Sequence, residues 1–144
     1  MTDLPAEGNN PTRVSQRLQP FLEHLRLPPI TTGDRTAKLE FVVEAIHLRL
    51  GGVVHGGVYA SVMDTVTGYA AYTVAPKGSD VLTMQLNLNM TASAKLGDHI
   101  VATAHVMHSG RRTAVVSGEI RRQDGKLLAV GTATLFFVSE GIAS

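Results

Sequence analysis

The sequence predicts an α+β domain, one buried central helix covered by an antiparallel sheet, and three observations carry that prediction. The run GGVYASVMDTVTGYAAYTV at residues 56–74 is too long for one strand and rich in small residues, as a packed helix is. After it, residues 81–138 alternate in polarity and are cut by short turn signals. Connections that short favour antiparallel pairing, and such a sheet can cover an apolar helix on one face.

The elements follow in order. Residues 1–12 read as a flexible polar tail, and 13–144 as a single domain, the size expected of 144 residues. Val14, Leu18, Phe21, Leu22 and Leu25 recur at helical spacing, which predicts an amphipathic N-terminal helix from Arg13 to Leu27, stopped by Pro28-Pro29. In residues 37–48, Leu39, Phe41 and Val43 alternate with Lys38, Glu40 and Val42, as in a first strand. Arg49-Leu50-Gly51-Gly52 is a loop. The central helix opens at Gly56-Gly57 and stops at Ala75-Pro76-Lys77-Gly78-Ser79. Val81–Ala92 interleaves Leu82, Met84, Leu86, Leu88 and Met90 with polar residues. Ala94-Lys95-Leu96-Gly97-Asp98 is a turn, and further strands are expected near 99–108, 112–122 and 126–138. Ser109-Gly110 and Asp124-Gly125 suit hairpins.

Composition excludes several chemistries. A net charge of +1 gives no electrostatic case for nucleic acid or a membrane surface. No stretch is apolar enough to span a bilayer, and MTDLPAEGNNPTR has no signal-peptide core, so a cytoplasmic location is expected. Cys is absent, which removes thiolate ligands and a cysteine nucleophile. Only 17% of residues are charged, a hint that partner chains cover some surface. His105 and His108, three apart on a strand, are expected on opposite faces, so no metal site is expected. His47 and His99 lack partners in sequence.

The central helix carries the candidate chemistry. At 3.6 residues per turn, Gly57, Ala60, Ser61, Asp64, Thr67, Gly68 and Ala71 form one stripe of mostly small side chains. A ligand chain or a second helix can approach such a stripe closely. Asp64 is the one charge between His55 and Lys77 and lies too deep in the helix to cap it. A carboxylate there is either a reactive group or a structural one bonded to Ser61, Thr67 or the backbone, and spacing leaves both open. The N–H groups of Gly56 and Gly57 stand at the positive helix end, where they could polarise a carbonyl or simply make a tight turn. Gly57 and Asp64 are seven residues apart, about 10 Å along the axis. One carbonyl needs both groups close by, so a site shared across a dimer interface is expected.

The segment His55-Gly56-Gly57-Val58-Tyr59-Ala60-Ser61-Val62-Met63-Asp64 resembles the HGG…D signature of hotdog-fold acyl-CoA thioesterases of the phenylacetate-degradation type. The resemblance extends over residues 37–138, through the strand at 83–92, the turn at 94–98 and Ser109-Gly110-Arg111-Arg112-Thr113. It leaves out the extra N-terminal helix.

It implies a five-stranded antiparallel sheet around a long helix, paired into homodimers with sites at the interface and commonly into homotetramers. The implied reaction is hydrolysis of an acyl-CoA thioester, with no metal or other cofactor, since coenzyme A is part of the substrate. Asp64 matches the catalytic acid, Gly56 the amide that binds the thioester oxygen, Thr83 a hydroxyl that helps hold the water, and His55 a loop organiser. Arg49 stands where relatives often carry Asn or Gln; it cannot be a base but can bind a carboxylate or phosphate. Gly57, Ser61 and Gly68 would line the substrate. Lys95, Arg111 and Arg112 would either meet the phosphates of coenzyme A or carry solvated turn charges. Aromatic and medium-chain acyl groups both fit. The competing readings are a non-catalytic acyl-CoA sensor and an acyl thioester dehydratase, the latter without a second partner for His55.

Overall fold

The computed structural model describes residues 13–14 and 19–139. In chain order these form β1 (Arg13–Val14), α1 (Pro20–His24), β2 (Thr31–Gly33), β3 (Thr36–Val42), a 3₁₀ turn (Ala45–His47), α2 (Gly56–Tyr72), β4 (Ser79–Met90), β5 (His99–Ser109), β6 (Thr113–Arg122) and β7 (Leu127–Ser139). One sheet takes the order β1-β2-β3-β5-β6-β7-β4, antiparallel throughout. The expected tail at 1–12 lies outside the described residues.

The sheet packs on α2. Val62, Met63, Val66, Ala70 and Ala71 are fully buried against sheet residues such as Ile100, Val116, Ile120, Leu128 and Leu135. Each large apolar side chain so buried contributes about 1.5–3 kcal/mol. Gly118 lets the helix come this close: a Cβ there would lie 2.6 Å from Met63 Sδ and 3.2 Å from the Thr103 carbonyl oxygen.

The resemblance implies five strands; β1 and β2 bring the sheet to seven. The long N-terminal helix is corrected to five residues. Pro20 has no N–H and holds Gln19 extended (φ −124°, ψ 99°), so a helix can start at Pro20 but cannot run through it. Phe21, expected on the buried face, is 63% exposed, whereas Leu22, Leu27 and Ile30 are buried. The first strand ends at Val42, six residues early. There Glu44 and His47 form a capping box that starts a 3₁₀ turn. His47 is fully buried: its Nδ1 accepts from the Glu44 N–H (2.9 Å), and Nε2–H donates to the Leu25 carbonyl (2.5 Å). It thereby ties the N-terminal segment to the loop that leads into α2.

Three register shifts interrupt the ladders, one of them at Leu128 in the β6–β7 pairing, and the other two bear on expected residues. One at Met107 puts His105 and His108 opposite Ser117 and Val115, both on the outer sheet face, instead of on opposite faces. Among the described residues no group of three His, Asp or Glu could hold a metal ion. The other, at Met84, turns Leu82 outward beside Phe136 and Thr83 inward beside the buried Leu135.

The turn at 94–98 is closed by Asp98, which accepts from the Lys95 N–H (2.9 Å) and from Gln123 Nε2 (3.0 Å). The Gln123 amide, then the Lys95 N–H, hold its carboxyl below the ordinary 3.8. In the next turn the Arg122 guanidinium lowers Asp124 to about 2. Both acids bind protons less readily folded than unfolded. Their stabilisation is therefore complete above about pH 4 and drains away as pH falls toward 2. Thermal midpoints measured from pH 5 to pH 2 should fall less steeply for Asp98→Asn than for the parent chain; coincident curves would exclude Asp98 from the acid transition.

Candidate functional site

The N-terminus of α2 is built by His55. It is the N-cap residue in extended conformation, and its Nδ1 accepts from the Gly57 N–H at 2.7 Å. Its carbonyl takes the Val58 N–H at 2.9 Å. The Gly56 N–H has no acceptor among the described residues, so it remains an open donor at the positive helix end. The two glycines thus differ: Gly57 spends its amide on the cap, and Gly56 does not.

Along α2 the half-buried and exposed residues are Gly56, Gly57, Ala60, Ser61, Asp64, Thr65, Gly68 and Tyr72. Thr67 and Ala71, expected on this stripe, are fully buried. Thr65 and Tyr72 take their place, which rotates the open face by less than a quarter turn.

Asp64 sits in the middle of this face, half-buried, and its carboxylate has no hydrogen-bond partner or counter-ion among the described residues. Each neighbouring hydroxyl is committed to the helix backbone. Ser61 Oγ donates to the Gly57 carbonyl (2.8 Å) and Thr65 Oγ1 to the Ser61 carbonyl (2.7 Å). Thr67 Oγ1 reaches the Met63 (2.8 Å) and Asp64 (3.1 Å) carbonyls. The bonds a structural aspartate would make to Ser61 or Thr67 are therefore absent, and the acceptor capacity of Asp64 is unspent.

Two tethers show how β4 runs beside α2. Tyr72 at the C-terminal end donates its hydroxyl to Asp80, and Gly56 at the N-terminal end lies against Met90, whose Sδ would be 3.1 Å from a Cβ placed there. The strand is antiparallel to the helix, and interpolation puts Thr83 level with residues 67–68, roughly one turn from Asp64. The inward turn at the Met84 bulge aims the Thr83 hydroxyl at this side of the sheet, where it is exposed.

The basic residues divide between two ends of the fold, Arg49 and Lys95 on either side of Val53 and the Arg111–Arg112 pair at the far turn. Arg49 lies in an exposed loop with Gly51 and Gly52 at φ 99° and 82°, and its guanidinium folds onto the Leu50 carbonyl of that loop. Lys95 rims a cleft of ≈ 400 Å³ with Val53, Ser93, Asp98 and Arg122, near the N-terminus of α2. Arg122 there is spent on Asp124 and the Ser93 carbonyl. Arg111 and Arg112 occupy the β5–β6 turn, at the far end of β5. Two groups that far apart in one chain cannot grip one phosphate.

Spacing places Tyr72 off the small-residue stripe, about 80° around the helix from Asp64, whereas the structure leaves it half-buried on the open face, where the rotation toward Thr65 brings it.

A family model described as the thioesterase superfamily matches residues 51–129. A Caenorhabditis elegans relative is 39% identical over 112 residues, covering 76% of this chain and 65% of its own. Human acyl-coenzyme A thioesterase 13 is 33% identical over 96 residues, covering 66% and 68%. The chain thus spans about two thirds of the length of the curated relatives it matches. Among solved structures, AziG of S. sahachiroi superposes with a TM-score of 0.78 at 30% identity, covering 85% of this chain and 99% of the other. A thioesterase protein of Streptococcus pneumoniae, solved with coenzyme A, superposes with a TM-score of 0.69 at 26% identity, covering 74% and 80%.

Proposed function

The chain belongs to the thioesterase superfamily, a family of thioester hydrolases, and from that premise we propose that it hydrolyses an acyl-CoA with an aromatic or medium-chain acyl group to the free acid and CoA. Asp64 is the general base or nucleophile, Gly56 the oxyanion donor, and Thr83 the hydroxyl that holds the water. The observation that carries this reading is that, among the described residues, neither the Asp64 carboxylate on the open helix face nor the Gly56 N–H has a partner.

In the general-base route, Asp64 takes a proton as water attacks the thioester carbonyl. The charge that develops on oxygen faces the Gly56 N–H, in the field of the helix N-terminus. Collapse breaks the C–S bond, and the proton passes from Asp64 to the departing thiolate. In the nucleophilic route the carboxylate itself attacks, the C–S bond breaks and the CoA thiolate leaves, and water then cleaves the mixed anhydride to the free acid and the Asp64 carboxylate, its proton going to the thiolate.

Gly56 and Asp64 of one chain are about 12 Å apart along the helix, too far for one carbonyl. The site is therefore assembled from two chains. The exposed edge of β4 supports this: it has no Pro or Lys, and Asp80 is its one charge, so little guards it against pairing with a second copy. A partner related by a two-fold axis also lets Lys95 of one chain and Arg111 and Arg112 of the other meet the phosphates of one coenzyme A. The coenzyme A held by the streptococcal relative supports that ligand class. Among the described residues no helix is long and apolar enough to cross a membrane.

A thiol-release screen over aryl, short, medium and long acyl-CoAs tests the reading. Catalytic release from an aryl or medium-chain substrate is expected. Tight binding without thiol release would assign the chain as a sensor, and hydration of an enoyl-CoA without release would assign it as a dehydratase.

A further inference from the structure

Tyr72 is the one bulky side chain on the open face of α2 beyond Asp64. Its position is held: the hydroxyl donates to Asp80 Oδ1, the same oxygen that accepts the Val81 N–H at 2.8 Å, and its ring lies 6.0 Å from that of Tyr69 at 58°. Tyr69 is itself buried and fastened by Gln19 Nε2 at 2.5 Å. The Tyr72 ring is thus fixed to the start of β4 on one side and to the N-terminal segment, through Tyr69, on the other.

Between Asp64 and Tyr72 stands Gly68. A Cβ there would meet nothing nearer than Leu135 Cδ2 at 3.9 Å, so the space over residue 68 is open. Asp64, Gly68 and Tyr72 follow at intervals of four along one inclined ridge of the helix, each step turning about 40° around the axis. Eight residues span about 12 Å of axis, and helical side chains lean toward the N-terminus, so the Tyr72 ring takes part of that length. What is left is roughly one helical turn, with the inward face of β4 at Thr83 beside it.

We propose that Tyr72, held by Asp80, is the wall that ends the acyl site, and that it restricts this chain to compact acyl groups of about one ring or a short branched chain. The inference rests on the reading of Asp64 as the catalytic acid: the carbonyl beside Asp64 sets the start of the acyl group, and the ring sets its end. A longer chain must displace a side chain fixed at both its hydroxyl and its ring, whereas a single ring can pack against the Tyr72 face.

The test is kcat and KM over acetyl-, butyryl-, phenylacetyl-, octanoyl- and lauroyl-CoA for the parent chain, Tyr72→Ala and Tyr72→Phe. The parent should prefer phenylacetyl or butyryl over lauroyl. Tyr72→Ala should raise kcat/KM for lauroyl relative to butyryl on the order of tenfold or more, chiefly through KM, and Tyr72→Phe, which keeps the ring but loses the tether to Asp80, should fall between Tyr72→Ala and the parent. Where Tyr72→Ala does not fold, Gly68→Val supplies the reading: its added methyl groups should shrink the range, with phenylacetyl lost before acetyl. An unchanged length profile in an active Tyr72→Ala, or in Gly68→Val, overturns the wall and leaves the thioesterase reading standing. Absence of thiol release from every substrate by the parent chain overturns both.

Discussion

Asp64→Asn should lower kcat for thioester hydrolysis by ~10²-fold or more, and KM should change little. Asparagine has the shape of aspartate but cannot accept a proton from water or act as a nucleophile. The Asp64 carboxylate has no hydrogen bond among the described residues, so its loss breaks nothing in the folded chain. The variant should therefore melt within ~0.5 kcal/mol of the parent, as substitutions that break no packing and no hydrogen bond generally do. The two measurements together separate the roles. A structural aspartate would lose stability along with activity, and a reactive one loses activity alone. Near-parental turnover in a folded Asp64→Asn would remove Asp64 from the chemistry.

Much of this arrangement was legible in the sequence because it depends on local pattern. The strands β5, β6 and β7 fall within one or two residues of their expected bounds, since alternation and Gly-containing turns act over a few residues. The central helix was equally clear, but not its orientation. Small and apolar side chains surround it almost evenly, so spacing alone could not tell that Thr67 faces the sheet while Thr65 faces outward. The N-terminal helix failed for a local reason: periodicity outweighed Pro20, which forbids a helix through it. The bulges at Met84 and Met107 leave no mark in a pattern of alternating residues, yet one of them decides which way Thr83 points. His47 had no visible partner because its partner is a carbonyl 22 residues away, at Leu25. Arg49 is likewise explained by backbone conformation, the two positive-φ glycines that curl its loop under the guanidinium.

In the proposed dimer each site takes Asp64 from one protomer and Gly56 from the other, so mixing two inactive chains should restore activity. The second variant is Gly56→Pro, which deletes the N–H without disturbing the helix. Proline is favoured at the first helical position, and His55 at φ −65° and ψ 135° already has the extended backbone that a following proline requires. Its Cβ meets only the tip of Met90, a flexible side chain that is 49% exposed. Gly56→Ala adds the same Cβ and keeps the amide, so it isolates the effect of the hydrogen bond. Alone, Gly56→Pro should lose ~10²–10³-fold in kcat. In a heterodimer with Asp64→Asn, one site contains both defects and the other contains neither. Random reassortment makes half the dimers mixed, so the mixture should recover roughly one quarter of parental activity. A site built within one chain gives only the average of two inactive parents. The tethers also say where the axis must pass. For the partner's N-terminal amide to lie level with Asp64, the two-fold must cross midway between helix levels 56 and 64. With Asp80 at the level of Tyr72 and Met90 at that of Gly56, this corresponds to β4 near Asn87 and Leu88. That stretch belongs to the exposed edge whose backbone groups a second β4 would complete. Recovery on mixing is thus required by the distance between two groups on one helix, and its absence from a fully reassorted sample would leave Gly56 without a part in the reaction at Asp64.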